Sequence, residues 1–222
     1  MQRYNVRKAA EPVRLFDNWD EGAWRGAEIA KIDNFLPESS SHHPEVHCKF
    51  LYTEKGIYGL FQVKDQYVRC VASHFQDNVC FDSCVEFFVQ PDCGEGYCNF
   101  EFSGGGQFLA YHVTDPTGGP LFLAACRPLD ISEVSGIEIY HTLPAFVEPE
   151  ITEPITWRLG FFLPFYVLTS IFGGKAPQSG SVWRANFYKI ADKTSHPHWA
   201  AWSPVPEVNY HLPQCFGEFL FL

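Results

Sequence analysis

Residues Tyr97 to Val113 read YCNFEFSGGGQFLAYHV, and this stretch decides the fold. In its first half the side chains alternate with a period of two. Cys98, Phe100 and Phe102 fall on one face, and Tyr97, Asn99 and Glu101 fall on the other. A period of two marks an extended strand, because successive side chains of a pleated backbone point to opposite sides. Gly104, Gly105 and Gly106 then turn the chain into a second apolar-rich run, Gln107 to Val113. The pair reads as a β-hairpin with Phe100 and Phe102 in the core and Glu101 outside it.

The same pattern repeats on both sides. KFLYTE (Lys49 to Glu54) and IYGLFQVKD (Ile57 to Asp65) read as strands joined at Lys55-Gly56, and VEFFVQP (Val85 to Pro91) as a third. GIEIYHT (Gly136 to Thr142), ITWRLGFFLP (Ile155 to Pro164), VWRANFYKI (Val182 to Ile190) and FGEFLFL (Phe216 to Leu222) bring the total to at least nine. PFYVLTSIF (Pro164 to Phe172) is an apolar run opened by Pro, which predicts a short helix. Many short strands with Gly/Pro turns predict an all-β protein: an antiparallel, jelly-roll-like β-sandwich of two sheets with few short helices. No repeat or linker divides it, so a single domain is expected over residues 1–222. Two long Pro- and His-bearing segments, 34–47 and 192–214, read as functional loops.

Composition excludes several classes of function. The apolar fraction is 46%, too high for a disordered chain. The formal charge is −10 with no Lys/Arg run, which argues against nucleic acid and against an anionic membrane surface. There is no secretory h-region and no apolar stretch long enough to span a bilayer. A cytoplasmic location is favoured, with a mature secreted form as the alternative. The eight cysteines lie mostly in apolar runs and read as buried free thiols. A Cys93–Cys98 disulfide across the GEGY turn is the rival, and the spacings do not suit a zinc site.

Aromatic residues make up 17% of the chain. Trp183, Trp199, Trp202 and Tyr210 gather near the C-terminus, with Phe81 and Tyr97 upstream. A flat aromatic ring suits the C–H face of a pyranose, and carbohydrate sites add a few carboxylates and amides for the hydroxyls. Trp183 fits a core strand. Trp202 is weighed between core and ligand contact, and Tyr210, flanked by Asn209 and His211, reads as exposed. Glu86 and Glu101 lie on neighbouring strand candidates. Paired, they could bind sugar hydroxyls, meet Arg158 or Arg184, or perform glycoside hydrolysis. His42, His43, His47, His196 and His198 read as solvated loop residues, with a metal site as the alternative. Asp17, Asp20 and Glu21 form an acidic cluster without EF-hand spacing. No Walker, GxGxxG, GxSxG or HExxH motif is present.

The order of these segments resembles the family 9 carbohydrate-binding modules, in particular a stand-alone bacterial group. The matching pieces are Gly22–Trp24, Ile57–Arg69, Asp82–Pro91, Tyr97–Gly106, Trp157–Pro164, Trp183–Ile190 and Ala201–Phe221. The resemblance implies a two-sheet β-sandwich and non-catalytic binding of glycan chain ends or small sugars, in the service of carbohydrate catabolism. It also implies structural calcium in some members. Two Trp rings clamp the sugar in that family, and here Phe81 and Tyr210 stand at those places. Glu86 matches a Glu of the family motif, Asn186 a strand Asn, and Glu101 stands where the family has Arg. The expected ligand-binding set is Phe81, Glu86, Glu101, Asn186, Trp202, Tyr210 and His211, with no catalytic residue and no resident metal assigned. The alternatives are a glycoside hydrolase using Glu86 and Glu101, and an interaction module whose sugar site has decayed.

Overall fold

The structure is a computed structural model that describes residues 2–119 and 123–222. Its strands are β1 (Arg3–Lys8), β2 (Ala30–Lys31), β3 (Asn34–Phe35), β4 (Glu45–Tyr52), β5 (Gly56–Asp65), β6 (Val68–Cys70), β7 (Cys84–Gln90) and β8 (Tyr97–Ser103). There follow β9 (Phe108–Asp115), β10 (Ala125–Pro128), β11 (Glu138–His141), β12 (Val147–Ile151) and β13 (Ile155–Pro164). The chain ends with β14 (Val182–Ala191), β15 (His198–Ala201) and β16 (Gly217–Phe221). Among the described residues there is one α-helix, α1 (Phe165–Phe172), and it falls on the run that Pro164 opens. No helix among them is long and apolar enough to cross a membrane.

Most strands join one large curled sheet, in the order β10-β9-β8-β7-β14-β16-β1-β4-β5-β13-β11, and β12 and β6 form a small second sheet. The hairpin read from Tyr97 to Val113 is present, with Phe100 opposite Ala110 and Phe102 opposite Phe108. Its turn closes with a bond from the Gly106 amide to the Ser103 carbonyl, 2.8 Å. Gly106 has φ +92°, a conformation that a side chain would strain. The strand at Lys49–Glu54 extends back to Glu45, inside the segment read as a loop. β15 likewise lies inside the other long loop.

β1 departs from the antiparallel expectation. It runs parallel to β16 through Arg3–Val6, then parallel to β4 through Arg7–Lys8. It therefore links the two halves of the sheet as a seam. Such pairing joins the N-terminus to residues more than 200 positions away, which no local pattern reveals.

The two halves meet through aromatic side chains. Phe50 of β4 packs on Phe187 of β14 at 4.4 Å between ring centroids and on Phe87 of β7 at 5.2 Å. Phe161 of β13 stacks on Phe102 of β8 at 4.9 Å. Gly59, opposite Phe161, makes room for that ring, since a Cβ there would lie 2.4 Å from it. The main core holds Val85, Phe87 and Val89 of β7 and Cys98, Phe100 and Phe102 of β8. The alternate residues Cys84, Phe88 and Tyr97 enter a second cluster on the opposite face. The face read as solvent-exposed is covered too, so Glu101 is off the core face as expected but only 8% exposed.

The loop histidines are not all solvated. His198 is fully buried, with Nε2 2.8 Å from the Lys189 ammonium, and His42 Nε2 lies 2.8 Å from Asp65 Oδ1. Asp65 Oδ2 also accepts from Trp157 Nε1 at 3.1 Å and faces Lys189 at 3.7 Å. Burial holds the Lys189 ammonium below its ordinary range, and Asp65 raises it in part. Burial and the nearby lysine push His198 down to about 3, so it is neutral at pH 7. Asp65 lies well below the carboxylate range: Lys189 and His42 outweigh the burial that opposes them. Asp17, Asp20 and Glu21 do not converge on a cation. Asp20 pairs with Lys49 at 3.2 Å, and Glu21 accepts from Asn18 at 2.8 Å. All eight cysteines carry free thiols, Cys93 and Cys98 included.

Removing one member of a buried ion pair leaves the other charge without compensation, at a cost of about 3 kcal/mol or more. Lys189→Met should therefore lower the unfolding free energy by roughly that amount in urea melts, with an unchanged m-value.

Candidate functional site

On the face of β7, β8 and β14 turned away from the main core, a cavity of about 570 Å³ opens. Its volume suits a small organic ligand. Glu86 and Phe88 of β7, Glu101 of β8 and Ile190 of β14 line it, together with Asp192 just beyond β14. The walls come from Cys80 and Phe81 before β7, from Lys193 and Trp199, and from Val208 to His211. Strand alternation explains the floor. In β7, Cys84, Glu86 and Phe88 share one face because Val85, Phe87 and Val89 take the core.

Glu86 and Glu101 are register partners across β7 and β8. Directly opposed residues place their Cβ atoms about 5 Å apart. Glu86 is 2% exposed, and its Oε2 finds no hydrogen-bond partner among the described residues. Glu101 Oε1 accepts from Asn99 Nδ2 at 2.8 Å, while Asn99 Oδ1 has no partner among them. Burial pushes Glu86 well above the usual carboxyl range, and the Glu101 and Asp192 charges push the same way. Burial raises Glu101 too, against the pull of the Asn99 hydrogen bond. Asp192 is also raised by burial, although Trp199 Nε1 donates to it at 2.7 Å.

Of the seven residues expected in a ligand site, the cavity brings together Phe81, Glu86, Glu101, Tyr210 and His211. Asn186 and Trp202 lie elsewhere. Asn186 is fully buried; its Nδ2 donates to the Ser203 carbonyl, and its Oδ1 accepts from the Ser203 amide, each at 2.9 Å. Trp202 stacks on Phe187 at 4.7 Å inside the main core. Tyr210 reaches the cavity but is buried rather than exposed. One face stacks on Tyr188 at 3.9 Å, and its hydroxyl donates to the Lys189 and Ala200 carbonyls. Phe81 is half-buried at the rim, with the Lys193 ammonium 3.7 Å above its ring. The His211 ring, held neutral by burial with its pKa down to about 4, meets the Tyr97 hydroxyl at 2.7 Å.

Trp199 and Asp192 complete the wall, and the sequence reading chose neither as a ligand contact. Trp199 belongs to the aromatic group noted near the C-terminus. Only the pairing of β15 with β14, Trp199 opposite Ile190, brings it to the cavity.

The sequence profile of Carbohydrate-binding family 9 matches residues 24–221. No curated protein matches the chain. Among solved structures, a candidate carbohydrate-binding protein from Bacteroides uniformis ATCC 8492 is similar over 100% of this chain and 99% of its own, with a TM-score of 0.85 and 24% identity. A family 9 module from Caldicellulosiruptor kristjanssonii in complex with cellotriose aligns over 99% of this chain and 93% of its own, with a TM-score of 0.60 and 15% identity. The same organism's module in complex with glucose gives a TM-score of 0.60 at 14% identity, covering 100% and 96%. At these identities the likeness is one of fold.

A carboxyl whose pKa is raised on folding holds its proton while the unfolded chain releases one. Its contribution to stability is present at low pH and is lost as pH rises through the folded value. Glu86→Gln and Glu101→Gln should each raise the melting temperature at about pH 8 and change it little at about pH 4. Scanning calorimetry at both pH values checks this. Lower melting temperatures at the higher pH would mean that the carboxylates are stabilised as charges.

Proposed function

The chain belongs to carbohydrate-binding family 9, and from that premise we propose that the cavity over Glu86 and Glu101 is its sugar site. The protein binds carbohydrate without chemistry. The observation that carries this assignment is the combination of aromatic walls with the unpartnered Glu86 carboxyl on the cavity floor. Trp199, Phe81 and the free edge of Tyr210 offer apolar surface to the C–H face of a ring. Glu86 Oε2, lacking a partner within the chain, is placed to accept from hydroxyls. Held toward its neutral form by burial, the carboxyl offers an O–H donor as well as an acceptor, so it can pair with a hydroxyl in either direction. The site residues are therefore Phe81, Glu86, Glu101, Trp199, Tyr210 and His211. Asn186 and Trp202 act in the scaffold. The two halves joined at β1 are read as the sheets of a jelly-roll-like sandwich, one domain over the chain.

The glycoside hydrolase alternative is disfavoured by the burial of the carboxyls. A hydrolase needs two carboxyl groups flanking the scissile bond, one of them ionised. Glu86 and Glu101 instead stand side by side on one floor, and burial holds both toward the neutral form. The relatives that have been solved with glucose and cellotriose support a small sugar or a glycan end as the ligand class.

Calorimetric titration with a panel of mono- and oligosaccharides, neutral and amino-substituted, tests the assignment. Phe81→Ala and Trp199→Ala should each weaken binding by about tenfold, the loss expected when an aromatic face no longer covers a sugar ring. Tyr210→Ala should instead destabilise the fold by about 3 kcal/mol, because that ring is packed on Tyr188. If no sugar in the panel gives heat, the interaction-module reading replaces this one.

A further inference from the structure

The cavity contains more acceptors than the chain satisfies. Three carboxyl groups, Glu86, Glu101 and Asp192, face it, and none forms a salt bridge among the described residues. Glu86 Oε2 is buried without a partner among the described residues, and so is Asn99 Oδ1 behind the Glu101 carboxyl that Asn99 holds. Meanwhile the buried donors around the cavity are spent on the protein, and the Lys193 ammonium and the Asn209 amide stay at its rim. The Trp199 indole donates to Asp192, and the Tyr210 hydroxyl to the Lys189 and Ala200 carbonyls. The Tyr188 hydroxyl donates to the Tyr210 carbonyl.

The neighbouring cations do not answer this excess. Lys189 projects from the opposite face of β14 into the Asp65 and His198 cluster. Lys193 sits at the rim over Phe81. Arg184 donates to the Phe216 carbonyl at 2.7 Å. His211 is neutral, and burial raises the Cys80 thiol and the Tyr210 hydroxyl, so neither supplies charge. What fits is a group that donates several hydrogen bonds and accepts none, and that carries positive charge. A primary ammonium has this character.

We propose that the cavity selects an amino sugar with a free, protonated nitrogen, its ammonium seated between Glu86 and Glu101 and its ring against Phe81 and Trp199. This rests on the sugar-site reading above and adds the chemistry of the preferred ligand. A neutral hydroxyl in the same place brings no charge to offset ionisation, so the two carboxyls keep their protons. An ammonium replaces those protons, and binding releases them to solvent. An N-acetyl group removes the charge and adds a carbonyl, a further acceptor where acceptors already crowd.

Glucosamine, galactosamine and mannosamine, each titrated beside its parent hexose and its N-acetyl derivative, test the idea in low-salt buffer by calorimetry. At about pH 7 at least one amino sugar should bind about tenfold more tightly than both counterparts, as expected for charge-assisted bonds replacing neutral ones. Its affinity should rise between about pH 5 and pH 7, and the heat should differ between buffers of different ionisation enthalpy, since protons are released. Glu101→Gln and Glu86→Gln should each cancel the preference for the amine while the melting temperature does not fall. Equal affinity for amine, hydroxyl and acetamide forms overturns the amine preference and leaves the sugar site standing. An absence of binding by any sugar overturns both. Ethanolamine binding as tightly as the best amino sugar overturns the part of the proposal that assigns a sugar ring.

Discussion

The aromatic contact between the two halves of the curled sheet is the constraint on which the rest depends. Phe50 touches Phe87 and Phe187, and Phe161 touches Phe87 and Phe102. Each of these rings lies on the core face of its strand, and a strand alternates faces at every residue. Seating Phe87 in the core therefore sends Glu86 and Phe88 to the opposite face. Seating Phe100 and Phe102 does the same for Glu101. A slip of one residue in β7 would bury Glu86 among phenylalanines and expel Phe87. The register that builds the core also builds the floor of the cavity.

Two sets of buried charge sit on opposite faces of β14 and are treated in different ways. On the core face, the Lys189 ammonium is enclosed by Asp65, His198 and the Ile190 carbonyl, and Asp65 is further held by His42, Trp157 and the Gln66 amide. Every strong group there has a partner, which is the condition under which a buried ion pair is tolerated. On the outer face, Glu86 and Glu101 oppose each other and form no ion pair with a cation among the described residues. A structural role would favour the first arrangement. The second is costly to the fold, since each carboxyl is held neutral by burial. Such a cost is characteristic of positions retained for binding.

Much of the strand content was legible in the sequence because alternation and Gly/Pro turns are local signals. The Tyr97–Val113 hairpin, the Lys49–Asp65 pair and the helix after Pro164 all lie where those signals put them. β1 was not legible, because RYNVRK is short and its partners are β16 and β4, distant in the chain. The lining of the cavity was legible in part. Strand phase put Glu86 and Glu101 on one face, the family resemblance singled out Phe81 and Glu86, and all three line the cavity. Tyr210 looked exposed because its neighbours in sequence are polar, but a ring of that size finds Tyr188, which is 22 residues away in the chain and adjacent in space. Asn186 was expected as a ligand contact because it matches a strand Asn of the family. Its bonds to Ser203 show that it holds the start of the following loop. Trp199 and Asp192 needed the β14–β15 pairing before they could be placed together.

The walls of the cavity are tied to its floor before any ligand arrives. The Asp192 amide donates to the Cys80 carbonyl at 3.0 Å, fixing the turn that carries Phe81 to the end of β14. The Tyr188 hydroxyl donates to the Tyr210 carbonyl at 3.1 Å, and the Tyr97 hydroxyl meets His211 at 2.7 Å, fixing the C-terminal segment over β8 and β14. A site held in this way loses little conformational freedom on binding, which matters for a small sugar whose contacts are few. The same bonds consume hydroxyl donors that would otherwise face the cavity. Preorganisation of the walls and the excess of acceptors on the floor thus have one origin: the hydroxyls of Tyr97, Tyr188 and Tyr210 are committed to the protein, and none of them reaches the carboxyl groups of the floor.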